Sequence, residues 1–290
     1  MMHLLAIGLG YAARHVASAL AEGGWSITGT TRAAEPDVRA PATAMIRFDP
    51  ANGIVPETLP ADTTHLLVSA APDANGDPVI THLDDQLVML LDLEWVGYFS
   101  TIGVYGDRDG GWVDEAASRD ATSERAQRRI AAEDAWLAFG ARTGVATQIF
   151  RLPGIYGKGR SPFTRIREGK ARRIIKPGQV FNRAHVEDIA AVVRASIAAP
   201  RAGAVYNVSD DEPAPPQDVI AYAAELIGVD APPEVSFDDA DMSDMARAFY
   251  ADCKRVKNDR IKRELGVSLR YPTYREGLAA VLAAERAEAS

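Results

Sequence analysis

The sequence contains a single cysteine, Cys253, among its 290 residues. One cysteine can form neither a disulfide within the chain nor a cysteine-based metal cluster, which favours a reducing, cytoplasmic location. The five histidines also lack the spacing of known zinc motifs. We therefore expect no metal site.

Positive charge is in short supply as well. The chain has 32 lysine and arginine residues against 40 aspartate and glutamate residues, a formal net charge of -8. Proteins that bind nucleic acid without sequence preference need a surplus of basic side chains, so nucleic acid is not an expected partner. Long apolar runs are missing too, since Gly8 and Gly10 interrupt the apolar N-terminal stretch. No membrane-spanning segment is expected.

Strand-like and helical runs alternate through the first two hundred residues. This alternation predicts an α/β fold in which crossover helices connect the strands of a parallel sheet. One predicted helix follows the first strand, and another covers SERAQRRIAAEDAWLAFGART and ends near Gly140 or Gly144. The predicted strands are HLLAIGL, WSITGTT, TAMIRFD, HLLVSAA, WVGYFST, VATQIFRLP and AVYNVSD.

A glycine-rich turn links the first predicted strand to the first predicted helix. Gly8, Gly10 and Ala13 form the pattern G-x-G-x-x-A, with Tyr11 inside it. The first glycine permits a tight turn, the second admits a diphosphate close to the backbone, and the small third residue lets helix and strand pack closely. These four residues are predicted to bind a dinucleotide, although glycine and alanine also serve packing alone.

The end of the second predicted strand bears on which dinucleotide binds. An acidic residue there would favour NAD, but the chain has Thr31 and Arg32, and a guanidinium suits the 2'-phosphate of NADP. We predict NADP in preference to NAD, with Arg32 and also Arg14 as phosphate partners; the alternative is that Arg32 points to water. Asp49 is predicted either to contact adenine or to start the turn before Pro50.

Several motifs resemble those of a known family. They are FSTIGVYGD at 99–107, FRLPGIYGKGR at 150–160, NRAHVEDIA at 182–190 and VYNVSDDEP at 205–213. Together they resemble the extended short-chain dehydrogenase/reductases and, more narrowly, the NAD-dependent epimerase/dehydratase family, which acts mostly on nucleotide sugars. The matches run in order over nearly the whole chain.

The resemblance implies a domain organisation. A doubly wound Rossmann sheet that binds NAD(P) would occupy residues 1–155 and be completed by about 182–212. A smaller C-terminal substrate-binding domain would comprise 156–181 and 213–290. The ligand cleft would lie between the two, and a homodimer is a common arrangement in the family.

The resemblance also assigns residues in the cleft. Thr101 falls on the family's active-site serine or threonine, which hydrogen-bonds the reacting oxygen of the substrate; a threonine that only ends a strand is the alternative. Ala70, Ala71 and Pro153 fall beside the cofactor. The family's dehydratases carry an Asp-Glu pair directly after the active-site threonine. Here Ile102 and Gly103 follow Thr101, so a 4,6-dehydratase is not expected.

The family's catalytic tyrosine and lysine have no counterparts in the helix where they belong. Alignment on Glu133 puts Arg125 in the tyrosine position and Arg129 in the lysine position. Arginine stays protonated and accepts no hydrogen bond, so neither residue can act as the base. The two arginines could clamp an anionic substrate, or Arg129 could pair with Glu133 on an ordinary helix surface.

Any acid-base chemistry would then need another group. Tyr105 is the first candidate, with aromatic packing beneath the cofactor as its alternative. His185 is predicted to contact substrate, or else to order the helix that follows it together with Asp188. Further candidates in cleft segments are Asp107, Glu115 and Tyr156.

A basic stretch from Lys158 to Lys176 stands out in an otherwise acidic chain. It would suit a phosphorylated or nucleotide substrate, with Arg160 as the residue to single out, or it is a solvated loop. Two functions remain open. One is an NAD(P)-dependent, epimerase-like oxidoreductase acting on a small anionic substrate, with a nucleotide sugar among the candidates; the other is a non-catalytic NADP(H)-binding sensor.

Overall fold

A computed structural model describes residues 1–34 and 41–289, with the side chains of residues 245 and 289 excepted. The strands, in chain order, are β1 (His3–Ile7), β2 (Ser26–Thr31), β3 (Ala44–Arg47), β4 (His65–Val68), β5 (Trp95–Thr101), β6 (Trp112–Val113), β7 (Ala146–Leu152), β8 (Gly154–Tyr156), β9 (Arg173–Ile175), β10 (Arg183–His185), β11 (Val205–Asn207), β12 (Glu234–Ser236) and β13 (Arg255–Val256).

The helices are α1 (Tyr11–Ala21), α2 (Pro78–Val88), α3 (Glu124–Thr143), α4 (Phe163–Arg167), α5 (Val186–Ala198), α6 (Pro216–Leu226), α7 (Asp244–Phe249), α8 (Asp259–Leu265) and α9 (Tyr274–Ala289). Helix α3 begins after Ser123, whose side chain accepts a hydrogen bond from the Ala126 N–H, and ends at Gly144 in the left-handed conformation. Both ends follow ordinary capping chemistry. No helix in the described ranges is long and apolar enough to span a bilayer.

Seven strands form one sheet in the order β11-β7-β5-β4-β1-β2-β3, and every neighbouring pair is parallel. The seven predicted strand segments supply these seven strands. The order reverses between β1 and β4, and in doubly wound sheets a ligand binds at the carboxyl edge beside such a reversal. The predicted Rossmann fold is confirmed.

Helices cover both faces of the sheet. Helices α1 and α5 pack on one face through residues such as Val16 and Ile189, and α2 and α3 pack on the other through residues such as Leu83 and Trp136. Burial on both faces explains why the central strands are nearly continuous apolar runs.

The C-terminal half adds a smaller core of its own, in which Phe163 of α4 and Leu278 of α9 pack with α6. Three two-stranded parallel ladders, β10-β8, β12-β9 and β13-β6, lie outside the large sheet.

Candidate cofactor and substrate site

Gly8 lies at the carboxyl end of β1, where the fold itself requires glycine. Its φ is +87°, and a Cβ there would lie 2.9 Å from the backbone nitrogen of Ala70. The Gly8 N–H donates to Thr30 Oγ1 at 2.9 Å, which fixes the turn against β2. An L side chain at this position would meet both backbone strain and a steric clash.

Gly10 is different, because the protein alone does not require glycine there. Its φ is -82°, which any residue adopts, and the nearest heavy atom to an added Cβ is the Gly8 carbonyl oxygen at 3.9 Å. Gly10 is exposed and precedes α1 without a side-chain cap. The first N–H groups of α1 therefore stay available to an anion, and the space above Gly10 stays open.

Ala13 and Tyr11 complete the turn. Ala13 is fully buried between α1 and the sheet, as close helix-strand packing requires. Tyr11 is half-buried, and its hydroxyl donates to the Lys158 carbonyl oxygen at 2.9 Å. Ala70 abuts Gly8, Ala71 is exposed, and Pro153 is half-buried between β7 and β8.

The end of β2 carries the residues predicted to read the adenosine. Thr31 Oγ1 accepts a hydrogen bond from the Ala33 N–H at 3.1 Å, and Arg32 is exposed. Arg14, on the first turn of α1, donates through Nε to the Leu9 carbonyl oxygen at 3.1 Å. Asp49 is buried and accepts from Asn52 Nδ2 at 2.8 Å, so its contacts are those of a turn former.

Thr101 ends β5 at the carboxyl edge of the sheet, next to β4. It is half-buried, and its Oγ1 accepts a hydrogen bond from the Gly103 N–H at 3.0 Å. This bond starts the short 3-10 turn Ile102–Tyr105. The hydroxyl proton is still free to donate to a ligand.

Tyr105 lies in the interior, with none of its surface exposed. Its hydroxyl donates to Asn207 Oδ1 at 2.7 Å and accepts from Arg151 Nη1 at 2.9 Å. Burial raises the pKa of the phenol, although the Arg151 guanidinium opposes the shift. A phenol that is enclosed and doubly hydrogen-bonded is poorly suited to exchange protons with a ligand near neutral pH.

Tyr105 belongs to a buried polar network that sequence reasoning missed. At its centre, Glu133 is fully buried and accepts from Ser100 Oγ at 2.6 Å and from Arg151 Nε and Nη2 at 3.0 and 2.8 Å. Arg119 contributes a further bond to Glu133 at 3.3 Å. The available signal was an arginine inside the apolar strand TQIFRLP, since a buried charge needs a partner.

Arg129 does not pair with Glu133, so that alternative is wrong. Its Nη1 donates instead to Tyr98 Oη at 3.0 Å and to the Phe99 carbonyl oxygen at 2.7 Å. Glu133 is unavailable because Arg151 already holds both of its oxygens. Arg129 is half-buried against β5, whereas Arg125, one turn earlier, is exposed.

His185 is buried and caps the N-terminus of α5. Its Nδ1 accepts from the Glu187 N–H at 3.3 Å, and its ring lies 5.2 Å from the ring of Tyr156 and 4.0 Å from that of Tyr271. Burial lowers the pKa of His185 to about 4, which keeps it neutral. Asp188 accepts hydrogen bonds from the Arg270 and Tyr271 N–H groups. These contacts match the predicted alternative in which both residues order α5.

The remaining acid-base candidates have structural partners. Asp107 accepts from the Cys253 N–H at 2.7 Å, and this bond lowers the pKa of its carboxyl. Glu115 accepts from the Asn207 N–H at 2.9 Å, and burial raises its pKa. Tyr156 is buried, and burial raises the pKa of its phenol strongly.

Acid should destabilise the protein through its buried histidines. Burial lowers the pKa of His65, as of His185, to about 4, against an ordinary value near 6.5. The unfolded chain therefore binds more protons than the folded chain between those values, and stability falls as pH falls. We expect each histidine to cost roughly 2 kcal/mol between pH 7 and pH 5. Urea unfolding of His185→Gln and His65→Gln should show a shallower pH dependence, while the exposed control His82→Gln should retain the wild-type slope.

The chain is similar to known proteins over nearly its whole length. No protein-family model matches it. The chain is 26% identical over 286 residues to Protein YeeZ of Escherichia coli strain K12, covering 94% of this chain and 97% of that one. It is 52% identical to a functionally unknown conserved protein from Silicibacter pomeroyi DSS, whose structure superposes with a TM-score of 0.89 over 98% of this chain and 99% of that one.

More distant solved structures decide the fold. MoeE5 in complex with UDP-glucuronic acid and NAD is 21% identical, with a TM-score of 0.77 over 99% of each chain. Human epimerase family protein SDR39U1 with NADPH is 15% identical, with a TM-score of 0.75 over 97% of this chain and 99% of that one. The chain shares its fold with these structures, one of which is an epimerase family protein. The resemblance read from its motifs is confirmed at that level.

Proposed function

We propose that this protein binds a nicotinamide dinucleotide at the turn between β1 and α1. Gly10 carries the proposal, because the fold leaves space for a side chain there and glycine keeps that space open beside an uncapped helix. A diphosphate placed there would receive the N–H groups of α1. That MoeE5 binds NAD and SDR39U1 binds NADPH supports this choice of ligand.

We further propose a preference for NADP(H). The residues that follow β2 and open α1 include the exposed Arg32 and Arg14, and no acidic side chain ends β2 to accept from a ribose 2'-hydroxyl. Two guanidiniums suit a 2'-phosphate through charge-assisted hydrogen bonds.

For the chemistry at this site, we propose binding without turnover, as in a sensor or regulatory protein. A reductase of this fold needs a group that gives or takes a proton as hydride moves. Arg125 and Arg129 cannot do so, and the phenol of Tyr105 is enclosed between Arg151 and Asn207. His185 is neutral, buried and engaged as a helix cap.

A second candidate is an epimerase-like oxidoreductase acting on a small anionic substrate such as a nucleotide sugar. Thr101 favours it, because the residue is half-buried at the carboxyl end of β5 and its hydroxyl has a proton to donate. Arg129 would add positive charge nearby, and MoeE5 was solved with UDP-glucuronic acid.

In both candidates, 156–181 and 213–290 would form the substrate half. The single cysteine supports a reducing, cytoplasmic setting, and exposed Met89 and Leu91 support a homodimer surface.

The two candidates differ in whether bound cofactor is consumed. We would incubate the protein with NADPH or NADP⁺ and either UDP-glucose or UDP-glucuronic acid, following nicotinamide absorbance, alongside Tyr105→Phe and Thr101→Val variants whose folding is checked by circular dichroism. We expect binding without oxidation or reduction in all three proteins. Turnover abolished by Thr101→Val but kept by Tyr105→Phe would support the oxidoreductase, and turnover abolished by Tyr105→Phe would contradict the role given to Tyr105.

A further inference from the structure

The turn formed by residues 157–160 lies against the start of α1. Two backbone bonds close it, Gly157 N–H to the Arg160 carbonyl at 3.2 Å and Arg160 N–H to the Gly157 carbonyl at 2.9 Å. The Tyr11 hydroxyl donates to the Lys158 carbonyl, and a Cβ on Gly157 would lie 2.6 Å from that hydroxyl oxygen. This 157–160 turn is thus fixed close to the glycine-rich turn.

Arg160 has no acidic partner among the described residues, unlike several other members of the basic stretch. Lys158 forms an ion pair with Glu288, and Arg167 pairs with Glu285 at 2.8 Å. The Arg160 guanidinium carbon instead lies 5.6 Å from the ring centre of Tyr11, the first residue of α1. An exposed, unpaired guanidinium therefore stands beside a helix N-terminus that has no side-chain cap.

The Arg160 guanidinium and the uncapped N-terminus of α1 both raise the positive potential beside Tyr11. They come from distant parts of the chain, and both would attract the same anion. A helix N-terminus attracts anions through its free N–H groups, and a guanidinium binds phosphate oxygens in a bidentate manner. We propose that Arg160 binds the diphosphate of the dinucleotide beside the N-terminus of α1. The inference rests on the proposed function, and it gives Arg160 a cofactor role in place of the substrate role expected from sequence.

Arg160 and Gly10 would hold the dinucleotide from two distant parts of the chain. Gly10 follows β1 near the start of the chain, whereas Arg160 follows β8 in the second half. A diphosphate held by both would lie between the two turns, which are joined by the hydrogen bond from the Tyr11 hydroxyl to the Lys158 carbonyl. We expect the dinucleotide to dissociate more slowly when Arg160 is present.

The test compares Arg160→Met with Arg167→Met, which removes a nearby arginine of the same basic stretch. Dissociation constants would be measured for NADPH and NADH by cofactor fluorescence, and for ADP by competition. We expect Arg160→Met to weaken all three ligands by about 10- to 100-fold, because all share the diphosphate. Arg167→Met should match the wild type, and Arg160→Lys should recover part of the affinity.

The outcomes separate this inference from the proposed function. Equal weakening of NADPH and NADH by Arg160→Met supports it. Weakening of NADPH alone would assign Arg160 to the 2'-phosphate and overturn it, as would unchanged affinity for all three ligands. If the wild-type protein binds no dinucleotide at all, the proposed function itself fails, a result distinguishable from the other two.

Discussion

Glu133→Ala should lose about 3–5 kcal/mol of folding free energy, the usual effect of removing one partner of a buried ion pair. The carboxylate is fully buried and satisfies two nitrogens of Arg151 together with Ser100 Oγ. Its removal leaves an uncompensated guanidinium in the core between β5 and β7. Arg151 also hydrogen-bonds Tyr105, which in turn hydrogen-bonds Asn207 of β11. We therefore expect the substitution to weaken the packing of β11 as well.

Urea unfolding followed by circular dichroism would measure this change. The matched control is Asp134→Ala, since Asp134 neighbours Glu133 on α3 but is exposed, with Arg119 as its ion-pair partner. An exposed pair of this kind contributes about 0–1 kcal/mol. The double variant Glu133→Met with Arg151→Met should recover much of the loss, because it removes both charges together. A cost for Glu133→Ala no larger than that for Asp134→Ala would show that the network is not formed.

Gly10→Ala should keep the stability of the protein but lose dinucleotide affinity by at least about tenfold, which corresponds to about 1.4 kcal/mol. The unliganded fold has room for the methyl group, since the nearest atom lies 3.9 Å away. A bound diphosphate would occupy that same space, because the second glycine of this turn allows its close approach. Gly10→Ala should therefore lower the dinucleotide affinity without lowering the stability of the unliganded protein.

Gly8→Ala provides the contrast at the same turn. Its φ of +87° and its 2.9 Å contact with the Ala70 nitrogen should reduce stability by about 1–3 kcal/mol even without ligand. Thermal unfolding with and without NADPH distinguishes the two variants. Wild-type affinity in Gly10→Ala would mean that no diphosphate lies above this residue.

The sequence was most informative where local chemistry determines structure. The alternation of apolar strands and helices predicts the parallel sheet because its strands are buried on both faces. The glycine-rich turn is recognisable because Gly8 needs a positive φ, a local property. The helix containing Arg125 and Arg129 is likewise bounded by Ser123 and Gly144, whose capping roles depend on nearby backbone alone.

The depth of individual side chains was much harder to predict. Tyr105 follows the active-site strand, and sequence position alone left both a cleft role and a packing role open. Its burial depends on Arg151 and Asn207, which lie 46 and 102 residues away along the chain. The predicted surface ion pair between Arg129 and Glu133 was wrong for the same reason. The partner of Glu133 is Arg151, which lies on β7 and not on α3.

The proposed dinucleotide site is tested most directly by titrating the purified protein with NADPH and following the fluorescence of the cofactor. We expect saturable binding with a dissociation constant on the order of 1–100 μM, competition by ADP, and weaker binding of NADH. An unchanged fluorescence signal across that range, with no protection against thermal unfolding by any of these nucleotides, would contradict dinucleotide binding at Gly10.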